Sequence, residues 1–243
     1  MRNTFIITVL IQLLPFIGTS QNNVPKILIC SQLDSISDYI IWYTPTRGEI
    51  DIDDKYLFNQ TNFVKAEFNK RLNNLGYEVI SNEIPEEFKG RLQSYFSNKA
   101  SDKFGEWLSH RYQENIRYVI ILDKLILPSD ITNYSLIDSN LNGEEFGIVT
   151  YYGKKRKIIV YSLINYLIFD TRELRRIPYR YHEPFVKEWR KVLTYKEKVT
   201  DKGFIVDDKI MVVKSELDSL FLYHINKVSD LITKETNALE HGQ

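Results

Sequence analysis

The chain has 243 residues, with 32 Lys and Arg against 32 Asp and Glu, four His, one Cys and 13% aromatic side chains. Equal charge excludes a generally basic nucleic-acid binder and an acidic disordered tail, because both depend on a net field. With 43% hydrophobic residues the chain can bury a sizeable core, and its length suits a single domain of roughly 200 residues.

At the amino terminus, Met1-Arg2-Asn3 carries one positive side chain, and Phe5 to Ile17 is mostly apolar. That run is too short for a bilayer span of about 20 residues. Gly18-Thr19-Ser20 then supplies small residues ahead of Gln21, which completes the pattern of a secretory signal peptide over residues 1–20. Cleavage there removes Arg2 and no carboxylate, leaving 31 basic against 32 acidic side chains on a mature domain of residues 21–243. No later apolar stretch is long enough to cross a membrane as a helix. Cys30 is the sole cysteine, so no intramolecular disulfide forms, and it reads as a buried thiol on a strand. An exported chain without disulfides fits a bacterial periplasm or cell surface better than a cystine-stapled secreted module.

Lys26 to Cys30 is a short, β-branched apolar run, read as a buried strand. Residues 39–60 show neither period clearly and read as a long loop with one short strand. Thr61 is placed to cap a helix through Val64, Phe68, Leu72 and Leu75, with Gly76 as its terminator. Tyr77 to Ser81 alternates like a strand. Pro85 opens a helix through Phe88, Leu92 and Phe96, and Ser101 caps another with Phe104, Trp107 and Leu108 on one face. Arg117 to Leu127 is nearly continuous in large apolar residues, as in a central strand covered on both faces. Phe146 to Tyr152 and Arg156 to Asp170 form a hairpin whose long second arm predicts a bulge. Glu183-Pro184 starts a short helix containing Trp189 and Val192, and Phe204 to Val213 reads as an edge strand pair turning at Asp207-Asp208. An amphipathic helix closes the chain from near Ser215. The expected fold is α/β (α+β): one mixed sheet with helices packed on it, in the order strand, helix, strand, helix, strand, hairpin, helix. Residues 172–213 form an insertion before the last helix.

No Gly-x-Ser-x-Gly elbow, Walker loop or Gly-x-Gly-x-x-Gly turn follows a predicted strand. The weak catalytic candidates are carboxylates. Asp34 and Asp38 follow the first strand, where α/β proteins place ligands, and Asp123 interrupts an apolar strand, where a carboxylate is costly unless paired or protonated. An edge exit or a salt bridge to neighbours of Lys124 is the simpler reading of Asp123. Asp51, Asp53 and Asp54 form the one acidic run suggestive of a cation, but they lack the glycine and distal glutamate of a calcium hand, so no metal and no cofactor is expected. Binding chemistry gathers instead between residues 172 and 198, where Arg175, Arg176 and Arg180 lie among Tyr179, Tyr181 and Trp189. Guanidinium forks and aromatic faces suit anionic groups, and the compartment favours an anionic glycan, a lipid head group or an envelope protein over nucleic acid.

Lys26-Ile27-Leu28-Ile29, Phe68-Asn69-Lys70-Arg71-Leu72 with Tyr77-Glu78-Val79-Ile80, Tyr118-Val119-Ile120-Ile121 and Leu167-Ile168-Phe169-Asp170-Thr171 occur in the order of a known domain. The chain resembles the small α/β domain at the amino terminus of the periplasmic translocation protein TolB and in the curli-secretion channel family. In that group the last strand runs into an Asp-x-Thr-Gly-like turn; here Asp170-Thr171-Arg172-Glu173 has no glycine. The resemblance implies a non-enzymatic docking or assembly module at the bacterial envelope, with no catalytic residues to carry over. The alternatives that the residues leave open are an envelope hydrolase working through Asp34, Asp38 or Asp123, and a purely structural exported domain.

Overall fold

A computed structural model describes residues 24–33, 38–44, 47–50, 58–89, 102–125, 145–151, 157–179, 190–194, 205 and 207–240. The expected signal peptide lies outside these residues. The α+β class holds, but among the described residues the expected single sheet is two sheets of five strands each.

The main sheet is mixed. It contains β1 (Lys26–Ser31), β4 (Glu78–Asn82), β5 (Ile116–Lys124), β8 (Ile164–Asp170) and β9 (Arg175–Ile177), in the order β4-β1-β5-β8-β9. β4, β1 and β5 are parallel, whereas β8 runs antiparallel to β5 and β9 antiparallel to β8. The second sheet contains β2 (Asp38–Thr44), β3 (Arg47–Ile50), β6 (Phe146–Tyr151), β7 (Lys157–Ser162) and β10 (Arg190–Thr194), in the order β10-β7-β6-β2-β3. Within the loop expected over residues 39–60, the described residues 38–44 and 47–50 form the antiparallel strand pair β2 and β3.

Residues 157–170 explain why one sheet became two. They run as one strand through Leu163, with β6 beside the first half and β5 beside the second. At the join, the Leu163 N–H donates to Glu145 and the Leu163 carbonyl accepts from the Leu125 N–H. No residue is inserted: Ile158, Val160, Ile164, Tyr166 and Ile168 all enter the same core. The side-chain period of two is kept, so the predicted bulge is absent and the chain changes sheet without a sequence marker.

Among the described residues there are three α-helices: α1 (Gln60–Asn74), α2 (Asp102–Gln113) and α3 (Ile210–Glu240). α1 buries Val64, Phe68 and Leu72 at four-residue spacing. Its cap is Asn59 rather than Thr61, with the Asn59 side chain accepting from the Asn62 N–H at 3.0 Å. Gly76 at φ +86° ends it: Gly76 N–H donates to Asn73 and Tyr77 N–H to Leu72, the paired bonds of a Schellman terminus. α3 starts at Ile210, after a 3₁₀ turn at Asp207–Lys209, which replaces the strand pair expected over 204–213. At 1.5 Å per residue it is about 46 Å long, enough to serve both sheets.

α1 and α3 cover one face of the main sheet, in the larger core with Tyr118, Ile120 and Tyr166, and α3 continues onto Ile158 and Val160 of the second sheet. The opposite face of the main sheet packs Val119, Ile121 and Phe169 against Phe104 and Leu108 of α2 and against Phe88. Phe88 belongs to a 3₁₀ turn, Glu86–Phe88, where a helix from Pro85 was expected, and residues 90–100 are outside the description. Cys30 is fully buried in this second core, and burial pushes its thiol up to about 12. Among the described residues no helix is long and apolar enough to cross a membrane.

Candidate functional site

Parallel strands that end together leave a crevice beyond their carboxyl ends, because each chain departs into a different connection. Here β1 ends at Ser31 and β4 at Asn82, and α1 begins beside them. They enclose an open cavity of about 820 Å³. β1 contributes Ser31 and the following Gln32 and Leu33; the first turns of α1 contribute Thr61, Asn62 and Lys65. The wall is completed by Ser81 and Asn82 of β4 and by Glu83 and Lys89 beyond it. Its carboxyl-edge loops are held from within: Leu33 N–H donates to Ser31 Oγ at 3.3 Å, and Glu83 N–H to Asn82 Oδ1 at 2.8 Å. Lys89 donates to Glu86 at 2.6 Å and lies 3.9 Å from Glu83; the bond to Glu86 raises its pKa. The wall thus carries hydroxyls, amides, two ammonium groups and one carboxylate. These are groups that form hydrogen bonds and ion pairs with polar ligands.

The sequence candidates fall in several places. Asp34 lies outside the described residues. Asp38 opens β2 and pairs with Gly147 in the second sheet, so it is part of a strand and not of a loop with Asp34. Asp123 stands near the carboxyl end of β5, opposite Asn165, on the strand face shared by Val119 and Ile121. It is 9% exposed, and its Oδ1 accepts from the Lys124 N–H at 2.8 Å. Desolvation raises its pKa against the effect of that bond. Among the described residues Asp123 makes no ion pair, so the expected salt bridge near Lys124 is a backbone hydrogen bond. The hydrolase reading requires one pocket joining the end of β1 to the end of β5; the cavity joins β1 to β4, and Asp123 is not on its wall. Asp51, Asp53 and Asp54 lie outside the described residues, among which no three His, Cys, Asp or Glu side chains gather as a metal site.

The described parts of the basic and aromatic segment, residues 172–179 and 190–194, pack on the fold. Its ends supply edge strands to both sheets, β9 to the main one and β10 to the second. Val192, expected in a helix, lies in β10. Arg175 donates to Glu235 of α3 at 2.6 Å, a bond that raises the guanidinium pKa, while burial lowers that of Arg176. The Tyr179 hydroxyl meets His224 Nδ1 of α3 at 2.7 Å, and Lys191 pairs with Glu216. Arg175 and Tyr179 therefore tie the segment to α3. Arg180, Tyr181 and Trp189 lie outside the described residues.

Two constellations were not singled out from sequence. One is the cavity wall itself, made of isolated Ser, Thr, Asn and Lys residues; its only signal is their position just past strand ends and in a helix's first turns. The other is at the opposite edge, where Asp170 is fully buried at the end of β8. Its Oδ2 accepts from Arg117 Nη2 at 2.9 Å, and its Oδ1 accepts from the N–H groups of Arg172 and Glu173 at 2.9 and 3.0 Å. Thr171 Oγ1 donates to the carbonyls of Ile116 and Arg117. In this turn without glycine, Leu174 takes the left-handed conformation at φ 50°.

No family model matches the chain, and no curated protein is similar to it at a significant level.

Proposed function

We propose that this chain is an exported, non-catalytic binding or assembly module of the bacterial envelope that takes its ligand in the cavity at the carboxyl ends of β1 and β4. The observation that carries the reading is that wall: Ser31, Thr61, Asn62, Ser81 and Asn82 offer hydroxyl and amide groups beside Lys65 and Lys89, at the strand edge where α/β sheets accept ligands. Donors of this kind, with two ammonium groups, suit an anionic glycan or a phosphorylated head group. The signal-peptide pattern of residues 1–20 and the resemblance to envelope docking domains support the compartment.

Calorimetric titration with soluble envelope fragments, namely muropeptides, core oligosaccharides and glycerophosphate head groups, tests the reading. One class should bind saturably, and Lys65→Glu, a surface change, should weaken it about tenfold without lowering the unfolding midpoint. Absence of saturable binding to all three classes sinks the proposal. Export is checked separately, by sequencing the amino terminus of protein recovered from the periplasm, which should begin at Gln21.

A further inference from the structure

The opposite edge of the main sheet, where β1, β4 and β5 begin, has a smaller cavity of about 320 Å³, the volume of about ten water molecules. Among the described residues its wall carries two guanidinium groups, Arg117 and Arg172, and no carboxylate. Pro25, Tyr112, Ile116 and Leu239 supply apolar surface. The Thr236 hydroxyl is on the wall but is already engaged by Tyr77, Tyr118 and the Ile232 carbonyl.

Arg117 is held in a fixed orientation. Nη2 donates to buried Asp170, and the guanidinium lies 5.3 Å from the centre of the Tyr118 ring. Nη1 is buried and has no hydrogen-bond partner. That nitrogen is closed to solvent, so the cavity meets Arg117 through the 16% of its side chain that is exposed. Arg172 is 58% exposed and reaches Glu173 at 3.6 Å, a solvated contact that costs little to exchange for another. Tyr112 on the wall is 49% exposed, so its ring is open to an apolar body.

We propose that this cavity binds a small carboxylate with an apolar body, its carboxylate on Arg117 and Arg172 and its body against Tyr112, Ile116 and Leu239. A planar carboxylate matches the edge of a guanidinium fork. The site lies on the edge opposite the proposed envelope-ligand cavity and stands or falls independently of it.

Amide chemical-shift titration with 3-phenylpropionate, hexanoate and uncharged 3-phenylpropionamide tests the assignment. The acids should give saturable shifts at Tyr112, Asn115 to Arg117 and Arg172 to Leu174, and the amide should bind about tenfold more weakly or worse. Arg172→Gln should lower affinity for the acids about tenfold while keeping the unfolding midpoint, and Leu239→Trp, which fills the cavity, should abolish the shifts. The proposal is overturned if neither acid shifts these amides saturably below about 10 mM, or if the amide binds as tightly as the acid.

Discussion

The two edges of the main sheet solve the same problem in opposite ways. At the amino edge a buried carboxylate, Asp170, has three donors, and the turn after β8 is tied to β5 through Thr171. At the carboxyl edge the buried carboxylate of β5, Asp123, has one backbone donor, and the strands open into a large polar cavity. A fully satisfied network fixes geometry, whereas sparse polar groups around a crevice leave hydrogen-bonding capacity for a ligand. The amino edge is a satisfied clamp beside a small pocket, and the carboxyl edge is an open polar crevice.

The sharpest way to break that contrast is Asp170→Ala. It strands Arg117 and two turn N–H groups, and should cost about 3–5 kcal/mol in denaturant unfolding; a loss under about 1 kcal/mol would mean that the amino edge is not clamped. Between the edges, the Tyr166 hydroxyl is fully buried without a partner, so Tyr166→Phe should be neutral or stabilise by about 1 kcal/mol, contrary to the usual loss on removing a tyrosine hydroxyl. A clear destabilisation would show a partner for that hydroxyl.

Asp123 gives a smaller, pH-dependent effect. Its folded pKa is raised above 3.8 by desolvation, so the folded state holds the proton more tightly than the unfolded one. The resulting stabilisation is fully present below the unfolded value and is lost as pH rises through the folded value. Asp123→Asn should therefore gain stability relative to wild type as pH rises above the unfolded carboxyl value; a constant difference between the two would contradict this. Smallest of all, Cys30, fully buried and with its thiol pushed up to about 12, should resist iodoacetamide in the native protein at about pH 8 and react only on unfolding. Native labelling would place it closer to solvent at the carboxyl edge.

Much of the main sheet was legible because its strands and helices carry clean periods: Lys26 to Cys30, Phe68 with Leu72, and Arg117 onwards. Of the second sheet only the β6–β7 hairpin was, expected from Phe146 to Tyr152 and from Arg156 onwards. β3 is four residues with a glycine and a glutamate, and β10, like β9 at the edge of the main sheet, is short and rich in Arg and Lys. Such composition protects edge strands and reads as a solvated insertion. The switch at Leu163 keeps the period of two, so no residue betrays it. Of the candidate site, the location beyond the first strand was legible from topology, but the residue types were not. Acidic side chains drew the eye to Asp34 and Asp123, while the wall is built from Ser, Thr, Asn and Lys, which carry no motif.

The central claim is binding without chemistry at the carboxyl edge. Its most direct measurement is an amide chemical-shift titration with the envelope-fragment panel, following the fragment's own resonances over hours. The account predicts saturable shifts at Ser31 to Leu33, Thr61 to Lys65 and Ser81 to Glu83, with the fragment unchanged at the end. Shifts confined to other parts of the molecule, or steady conversion of the fragment, would contradict it.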